Sequence, residues 1–428
     1  MDKKITFATN TANNTLEYTK ILLKSLKENL DNKHHEILVF IDSDNDGTLE
    51  YLRSVKKDFH DLKIVHHKLK PVIGCERNQN LIVELAKYDI VSYLQSDMVI
   101  SKHYDTNILE DLEEDMILSS TRIEPPLHGE SSLTITKNFG LDPYEFKYDD
   151  FLNYAEDCKS NRSENYFFAP YTFYKTTWNK VAGYDTNFRR SRCDSDLVQR
   201  FLYADVKLKQ TFKANVYHFT CVSSRGIDWF NSQNVETQNR VLLQDIADKI
   251  ELRRFVRKWG SFNHGECKLK KLDIDLVIDE ENKLGINNIV QIEPYFSRVW
   301  FKNEQDKQNA IHLFSNEHDP ANKLYGFSKE DWDESKKYYN LTDYDSIYKV
   351  GTPINFNIKI EVNFKDVDFN TDPFLQNITR LGDILEGSEP GIYELGSAKI
   401  EVRNMVDLAQ DQIVVTNPPF DYSLLTIE

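Results

Sequence analysis

Apolar positions in the first part of the chain come in short runs, and between those runs the apolar residues recur at helical spacing. Residues 4–9 (KITFAT) read as a short buried strand, and Asn14 with Glu17 three positions later reads as a capping box opening a helix that runs to Leu30. Glu36–Ile41 reads as a second strand. The turn SDNDGT then starts a helix over Thr48–Asp58, KIVHH is the next strand, and GCERNQNLIVELAK is a helix leading into the apolar run DIVSYL. Strand and helix alternate strictly with short links, which predicts a mostly parallel sheet covered on both faces.

Ligands of such sheets sit outside the carboxyl ends of the strands. The positions that matter are therefore Thr9–Thr11, Asp42–Asp46 and Gln95–Asp97, three clusters of hydroxyls, amides and carboxylates. Turn and capping preferences alone also favour Asp, Asn and Ser at such places. From Arg122 to Ser163 the pattern loosens around Pro125, Pro126, Gly129 and Gly140, the signature of a functional loop or lid. Regularity returns at Phe167–Lys175, passes through the turn AGYD at 182–185, and gives a helix from Asp194 to Tyr203. Two short strands follow, at Lys207–Gln210 and Asn215–His218.

Trp229 to Trp259 is charged and helical in pattern, with Gly260 a natural stop. Beyond it, LDIDLVID, NIVQI, INFNIKIEVNF and AKIEVRN alternate at period two, as strands with one solvated face do. The expected organisation is an α/β domain over 1–228, a helical connector over 229–264 and a mainly β accessory region over 265–428.

Composition narrows the function. At 428 residues the chain exceeds the size at which one core keeps growing, which supports two domains. A net charge of -16 and a pI near 5.2 oppose a polyanionic partner, so nucleic acid is not expected as one. The five cysteines are scattered and odd in number, with no CxxC pair, which argues against a disulfide framework or a structural zinc site and fits a reducing cytoplasm. The opening MDKKITFATNTANN has no apolar core of a signal peptide, and no run approaches the roughly 18 apolar residues of a membrane span. The expected setting is the cytoplasm, in solution or at a membrane surface.

Five segments occur in order: ITFATNT, FIDSDNDGT, CERN, QSD and CDSDLVQR. This series resembles the inverting family 2 glycosyltransferases of the GT-A fold, in which a mostly parallel sheet is flanked by helices, and the resemblance runs from Lys4 to about His218. It implies transfer of a sugar from a nucleotide-sugar donor, a UDP-sugar, to a glycan or glycoconjugate acceptor. Thr9, Asn10, Asp42, Arg77, Gln95 and Ser96 fall at its nucleotide site. There Asp42 accepts a hydrogen bond from the uracil ring, and Arg77 lines the same pocket, where a guanidinium keeps a nearby carboxylate ionised.

The resemblance further implies that Asp97 and His218 hold a Mn²⁺ or Mg²⁺ ion on the donor's diphosphate, a hard ion that needs few protein ligands because water and phosphate complete its shell. Gln95 stands where the motif has its first acid, which removes a charge near the ribose. Asp194 matches the base that takes the acceptor's proton, with Cys193 in place of the Glu that usually precedes it. Asp196 is an alternative base on a different helix face, and either Asp also suits a helix start. Asp185, in a turn resembling GGFD, together with Tyr184 and Trp178, falls at the acceptor side. Aromatics such as these and Tyr171 and Tyr174 either stack on sugars or fill the core.

Two other readings stand beside this one. A non-catalytic binder of sugar nucleotides or glycans would account for Gln95 and Cys193 as marks of a decayed site. Transfer onto a modified nucleic-acid base is opposed by the acidic charge. No GxGxxG and no GxxxxGK[ST] is present, which disfavours other nucleotide-binding α/β enzymes.

Overall fold

In the computed structural model the described residues are 3–69, 73–127, 131–189, 191–220, 248–262, 267–278, 289, 292–315, 329–362, 367–368 and 370–428. Among them two sheets form. The first begins with β1 (Ile5–Thr11), β2 (Glu36–Ile41), β3 (Leu62–His67) and β4 (Ile90–Tyr93), which lie side by side and parallel in the order β3-β2-β1-β4. All six residues of β2 are buried, so this strand must be covered on both faces. Period two divides the cover. Phe7, Ile37 and Val39 pack with Leu22, Leu23 and Leu26 of α1 (Leu16–Asn29), while Ala8, Leu38 and Phe40 pack with Leu81 and Ile82 of α3 (Cys75–Leu85). Between these helices along the chain comes α2 (Thr48–Val55).

The start of α1 departs from the expected capping box. Asn14 has φ 64°, the helix starts at Leu16, and the Leu16 amide donates to Asp46 Oδ2 at 3.0 Å, so the cap comes from the turn after β2. The stretch 122–163, expected as an irregular loop, carries ordered elements. After β5 (Met98–Ile100) and α4 (Tyr104–Asp111), β6 (Met116–Glu124) extends past Arg122 and is followed by β7 (Thr134–Thr136), α5 (Tyr148–Asp157) and β8 (Ser163–Glu164). Short amphipathic pieces between prolines and glycines lack the length that makes periodicity legible.

β9 (Tyr171–Tyr174), α6 (Lys175–Asn179) and α7 (Cys193–Tyr203) precede β10, a single strand over Lys207–His218. Two strands were expected there; the shift in register between Thr211 and Asn215 is the irregularity that divides the pattern. β10 pairs parallel with β6 and antiparallel with β5. The stretch 248–259 is helical and is called α8; the rest of the expected connector, 229–247 and 263–264 included, lies partly outside the described residues.

The second sheet has six strands in the order β13-β12-β11-β14-β16-β15, from β11 (Ile274–Ile278), β12 (Arg298–Phe301), β13 (Tyr348–Val350), β14 (Ile358–Val362), β15 (Gly391–Leu395) and β16 (Ala398–Val402). Its first four are mutually parallel, and helices including Glu304–Ser315 and Leu381–Leu385 separate them from their neighbours, so this part mixes helix and strand.

The segment after it returns to the first sheet. β17 (Leu425–Ile427) pairs antiparallel with the edge strand β3, and Glu428 makes a two-pronged ion pair with Arg53. Phe420 and Leu425 enter the core that contains α3. This seating predicts that Phe420→Ala, which removes a ring packed 5.0 Å from Tyr338 and beside Arg77, costs about 3 kcal/mol of stability. Denaturant unfolding followed by a probe in the first sheet measures it; an unchanged transition there would show that the returning segment is not part of that core.

Candidate active site

The register of the first sheet assembles the site. β2, β1 and β4 are adjacent and parallel, so Asp42, Thr9–Thr11 and Gln95–Asp97 emerge along one carboxyl edge. Met98 pairs with His218 and Ile123 with Tyr217, which brings Asp97, Glu124 and His218 together at the ends of β5, β6 and β10. His218 Nε2 lies 3.6 Å from Asp97 Oδ1, and its Nδ1 lies 2.7 Å from Glu124 Oε1. An Nδ1–H donated to Glu124 leaves the Nε2 lone pair facing Asp97, and a carboxylate behind the ring in this way fixes the orientation of a metal-binding imidazole. Among the described residues no three His, Cys, Asp or Glu side chains are arranged to hold one metal ion, and with Nδ1 turned to Glu124 this site offers two protein ligands, Asp97 and His218 Nε2.

Asp42 is buried and accepts hydrogen bonds from the Ile73 amide at 2.8 Å and the Gly74 amide at 3.2 Å, with His67 Nε2 3.0 Å away. Arg77 is not its partner. The Arg77 guanidinium points out of α3 toward the returning segment, donates to the Pro418 carbonyl at 2.7 Å and lies over the Phe420 ring. The third residue of the helix faces away from the loop that carries Ile73 and Gly74, and sequence spacing alone did not fix that rotation. Asn10 accepts from the Tyr93 hydroxyl and lies 3.8 Å from the Cys75 sulfur. Gln95 Oε1 is buried and has no hydrogen-bond partner among the described residues. Thr9 and Ser96 are buried beside them.

Asp194 sits in the first turn of α7, where its carboxylate accepts from the Tyr184 hydroxyl at 2.8 Å. Solvent reaches it through a cavity of about 780 Å³ whose walls include Tyr166, Phe168, Val198 and Leu202. Surrounding protein still removes enough water to push its pKa up, while the Tyr184 bond and the Arg122 charge pull it back. The Tyr171 hydroxyl donates to Gln79 of α3 and lies 3.0 Å from the Tyr184 oxygen, so Tyr184 is backed by a ring anchored on α3. Tyr184 thus orients a carboxylate, and Trp178 is core, stacked 4.7 Å from Phe173.

Asp196, the alternative base, is wholly buried. Arg200 Nε donates to it at 2.8 Å, Lys258 Nζ lies 2.7 Å away and the Trp259 indole donates at 2.9 Å. No substrate proton reaches that carboxylate. Asp185 is likewise committed, to Lys258 at 2.8 Å and to Asn340 at 2.9 Å; burial alone would raise its pKa, but Lys258 and the hydrogen bonds hold it below the usual carboxylate range. In the turn before it, Gly183 has φ 75°, and a side chain there would run into Asn80 and Trp178.

Arg122 carries no motif and was not picked out as a site residue. Its guanidinium lies 3.5 Å over the Phe168 ring and 3.3 Å from Glu124. Burial lowers its pKa, while the carboxylates of Glu124, Asp97 and Asp194 act in the opposite direction. Through Glu124 and His218 it borders Asp97, and through Phe168 it borders the cavity that reaches Asp194.

Residues 10–167 match the family described as glycosyl transferase family 2. That segment takes in the end of β1 and all of β2 to β8, including the Asp42 and Gln95–Asp97 turns of the first sheet. The match ends before Asp194 and His218. Among solved structures, the chain is similar to GalNAc-T7 with UDP, GalNAc and Mn²⁺, at 11% identity over 50% of this chain and 44% of that one, TM-score 0.39. It is also similar to S. aureus TarS, at 14% identity over 77% and 55%, TM-score 0.38, and to TarS 1-349 in complex with UDP-GlcNAc, at 13% identity over 79% and 94%, TM-score 0.36. The chain spans about half the length of the first two. No curated protein matches it.

The contrast between Asp194 and Asp196 is testable without substrate. Asp196→Ala leaves Arg200 a buried cation without a carboxylate, and Lys258 with Asp185 alone, and is expected to cost about 3–5 kcal/mol. The pKa of Asp194 is raised in the folded state, so its ionised form opposes folding at neutral pH, and Asp194→Asn is expected to leave the melting temperature level or higher. Calorimetric unfolding of both variants near pH 7.4, well above the ordinary carboxylate pKa of about 4, measures the difference.

Proposed function

We propose that the chain is an inverting glycosyltransferase that moves a sugar from a UDP-sugar to a hydroxyl of a glycan or glycoconjugate acceptor. The observation that supports it best is that Arg122 links both sides of the site: it pairs with Glu124, which holds His218 beside Asp97, and it lies over Phe168, which lines the same cavity as Asp194. Residues 1–228 would form the transferase domain, 229–264 its connector and 265–428 an accessory region.

In this reading the Asp42 turn and the β1 edge receive the nucleoside. Asp42 already accepts from two amides and lies against His67, so it seats the loop at 73–74 as well as offering its remaining lone pairs to a base edge. Unpartnered Gln95 Oε1 suits a ribose hydroxyl. Asp97 and His218 Nε2 would hold Mn²⁺ or Mg²⁺: one carboxylate and one oriented imidazole leave most of the shell to water and diphosphate, as a hard ion in a donor complex requires. Bound there, the ion supplies positive charge that offsets the charge growing on the departing diphosphate. Arg122 adds a fixed cation on the same side of the cleft.

Asp194 takes the acceptor proton. Its raised pKa makes it a better base than an exposed aspartate, Tyr184 fixes its orientation, and the cavity that opens onto it gives the acceptor a route. Activity should therefore fall as pH drops through the Asp194 pKa, at a higher pH than an ordinary aspartate would give.

Two measurements test the reading. Asp194→Asn should lose transfer by about 10³-fold or more while UDP affinity stays within about threefold. Lost UDP binding in that variant would reassign Asp194 to the donor site. Titration calorimetry of UDP with and without Mn²⁺ should show metal-dependent affinity, and Glu124→Gln should weaken the metal effect by about 10–100-fold through His218. UDP binding that ignores Mn²⁺, with no turnover of any UDP-sugar, would favour the non-catalytic binder.

A further inference from the structure

Arg77 is turned away from Asp42, and its surroundings leave it incompletely matched. Its side chain is 5% exposed, and among the described residues the guanidinium has one hydrogen-bond acceptor, the Pro418 carbonyl at 2.7 Å, while its Nε–H is buried without a partner. The Phe420 ring lies 5.5 Å away. Other arginines drawn out of water meet a carboxylate, as Arg200 meets Asp196, Arg257 meets Glu293 and Arg122 meets Glu124. Arg77 makes no ion pair of that kind among the described residues. A guanidinium carries five N–H donors, and burying it with most of them unmatched is costly unless something else completes its shell.

That guanidinium borders a cavity of about 500 Å³. One wall is the outer face of α3, where Arg77, Asn80 and Glu84 follow one another at helical spacing, and the other is the returning segment between residues 415 and 422. Both walls are fixed to the 182–186 turn. Asn80 Nδ2 donates to the Tyr184 carbonyl at 2.9 Å, Asn417 Nδ2 donates to the same carbonyl at 2.7 Å, and Asn417 Oδ1 accepts from the Thr186 amide at 3.0 Å. The cavity is therefore preformed, and its size falls within the roughly 300–1,000 Å³ of small-molecule pockets. No residue of the Asp42, Gln95–Asp97 or Asp194 clusters lines it.

We propose that this cavity binds one acidic sugar unit, with Arg77 holding its carboxylate or phosphate and the rim receiving its ring. An anion on Arg77 would supply the acceptors that the protein withholds, in the charge-assisted geometry that a planar guanidinium favours. The space is larger than a bare ion needs. Around it Tyr422, 46% exposed, offers an aromatic face, and the exposed Asn179 and Thr416 offer an amide and a hydroxyl to the hydroxyls of a sugar. Glu84 is the one carboxylate on the walls, and it opposes an anion. The site goes beyond the transferase reading and does not depend on it.

Titration calorimetry of the full chain with glucuronate, glucose 6-phosphate, glucose and inorganic phosphate, each with and without UDP and Mn²⁺, tests the proposal. At least one of the two acids should bind at a single site, and glucose should bind at least about 10-fold more weakly for want of a charge-assisted bond to Arg77. UDP should leave the affinity unchanged, and the tighter acid identifies the anionic group. Arg77→Met, which keeps an apolar stem beside Phe420, should weaken binding by about 10–100-fold. Two exposed positions read the same site if that variant fails to fold. Glu84→Gln should tighten binding by about threefold, and Tyr422→Ala should weaken the sugar acid by about threefold while leaving inorganic phosphate unchanged.

Binding of neither acid overturns the proposal, as does unchanged affinity in a folded Arg77→Met or in both exposed variants. Displacement by UDP also overturns it, since the anion would then occupy the donor site. Inorganic phosphate that binds as tightly as glucose 6-phosphate overturns the assignment of a sugar.

Discussion

A carboxylate with no access to water, that of Asp196, carries the arrangement of the catalytic side. It draws Arg200 from its own helix and Lys258 and Trp259 from α8, and Lys258 reaches on to Asp185 in the turn before α7. Two acids and two cations are taken out of water together. That is costly unless every partner is present, and here each charge has one. The result is a rigid joint among α7, α8 and the 182–187 turn. Asp194 lies two residues from Asp196 on another face of the same helix, so its direction is inherited from that joint.

The opposite wall of the cleft is set by backbone pairing. Because β10 is flanked by β5 and β6, the residues at the ends of all three strands are neighbours by register, and no side-chain contact is needed to bring Asp97, Glu124 and His218 within reach of one another. Arg122 lies one step inside this edge and looks across to the helix side. A site built from a buried ionic joint on one flank and a ladder of backbone hydrogen bonds on the other is fixed before any ligand arrives, which favours catalysis over adaptable binding.

Much of the α/β half was legible because it rests on long buried runs such as EILVFI and on helices with clear periodicity. The order of ITFATNT, DSDND, CERN, QSD and CDSD pointed to one edge of one sheet, and the structure puts Thr9, Asn10, Asp42, Gln95, Ser96 and Asp97 there. What sequence could not supply is which way a side chain turns. Asp194 and Asp196 differ only in helical phase, yet one faces a cavity and the other a lysine. Arg77 belongs to the CERN series but reaches a carbonyl more than three hundred positions away, and such a partner leaves no local trace. Arg122 and Glu124 are strand-end residues without a spacing to mark them; a charged pair two apart at the end of an otherwise uncharged strand, RIE after MILSST, was the available signal.

The pairing of β17 with β3 has a kinetic consequence. The edge that carries His67, and through it Asp42, finds its neighbouring strand only after all the strands of the second sheet have been made. A contact of such high sequence separation forms late, since loop closure must be met before the pairing rewards it. During synthesis β3 therefore presents an unpaired hydrogen-bonding edge, the kind of surface on which nascent chains aggregate. The Asp42 turn would mature last, after the parallel strands beneath it have formed.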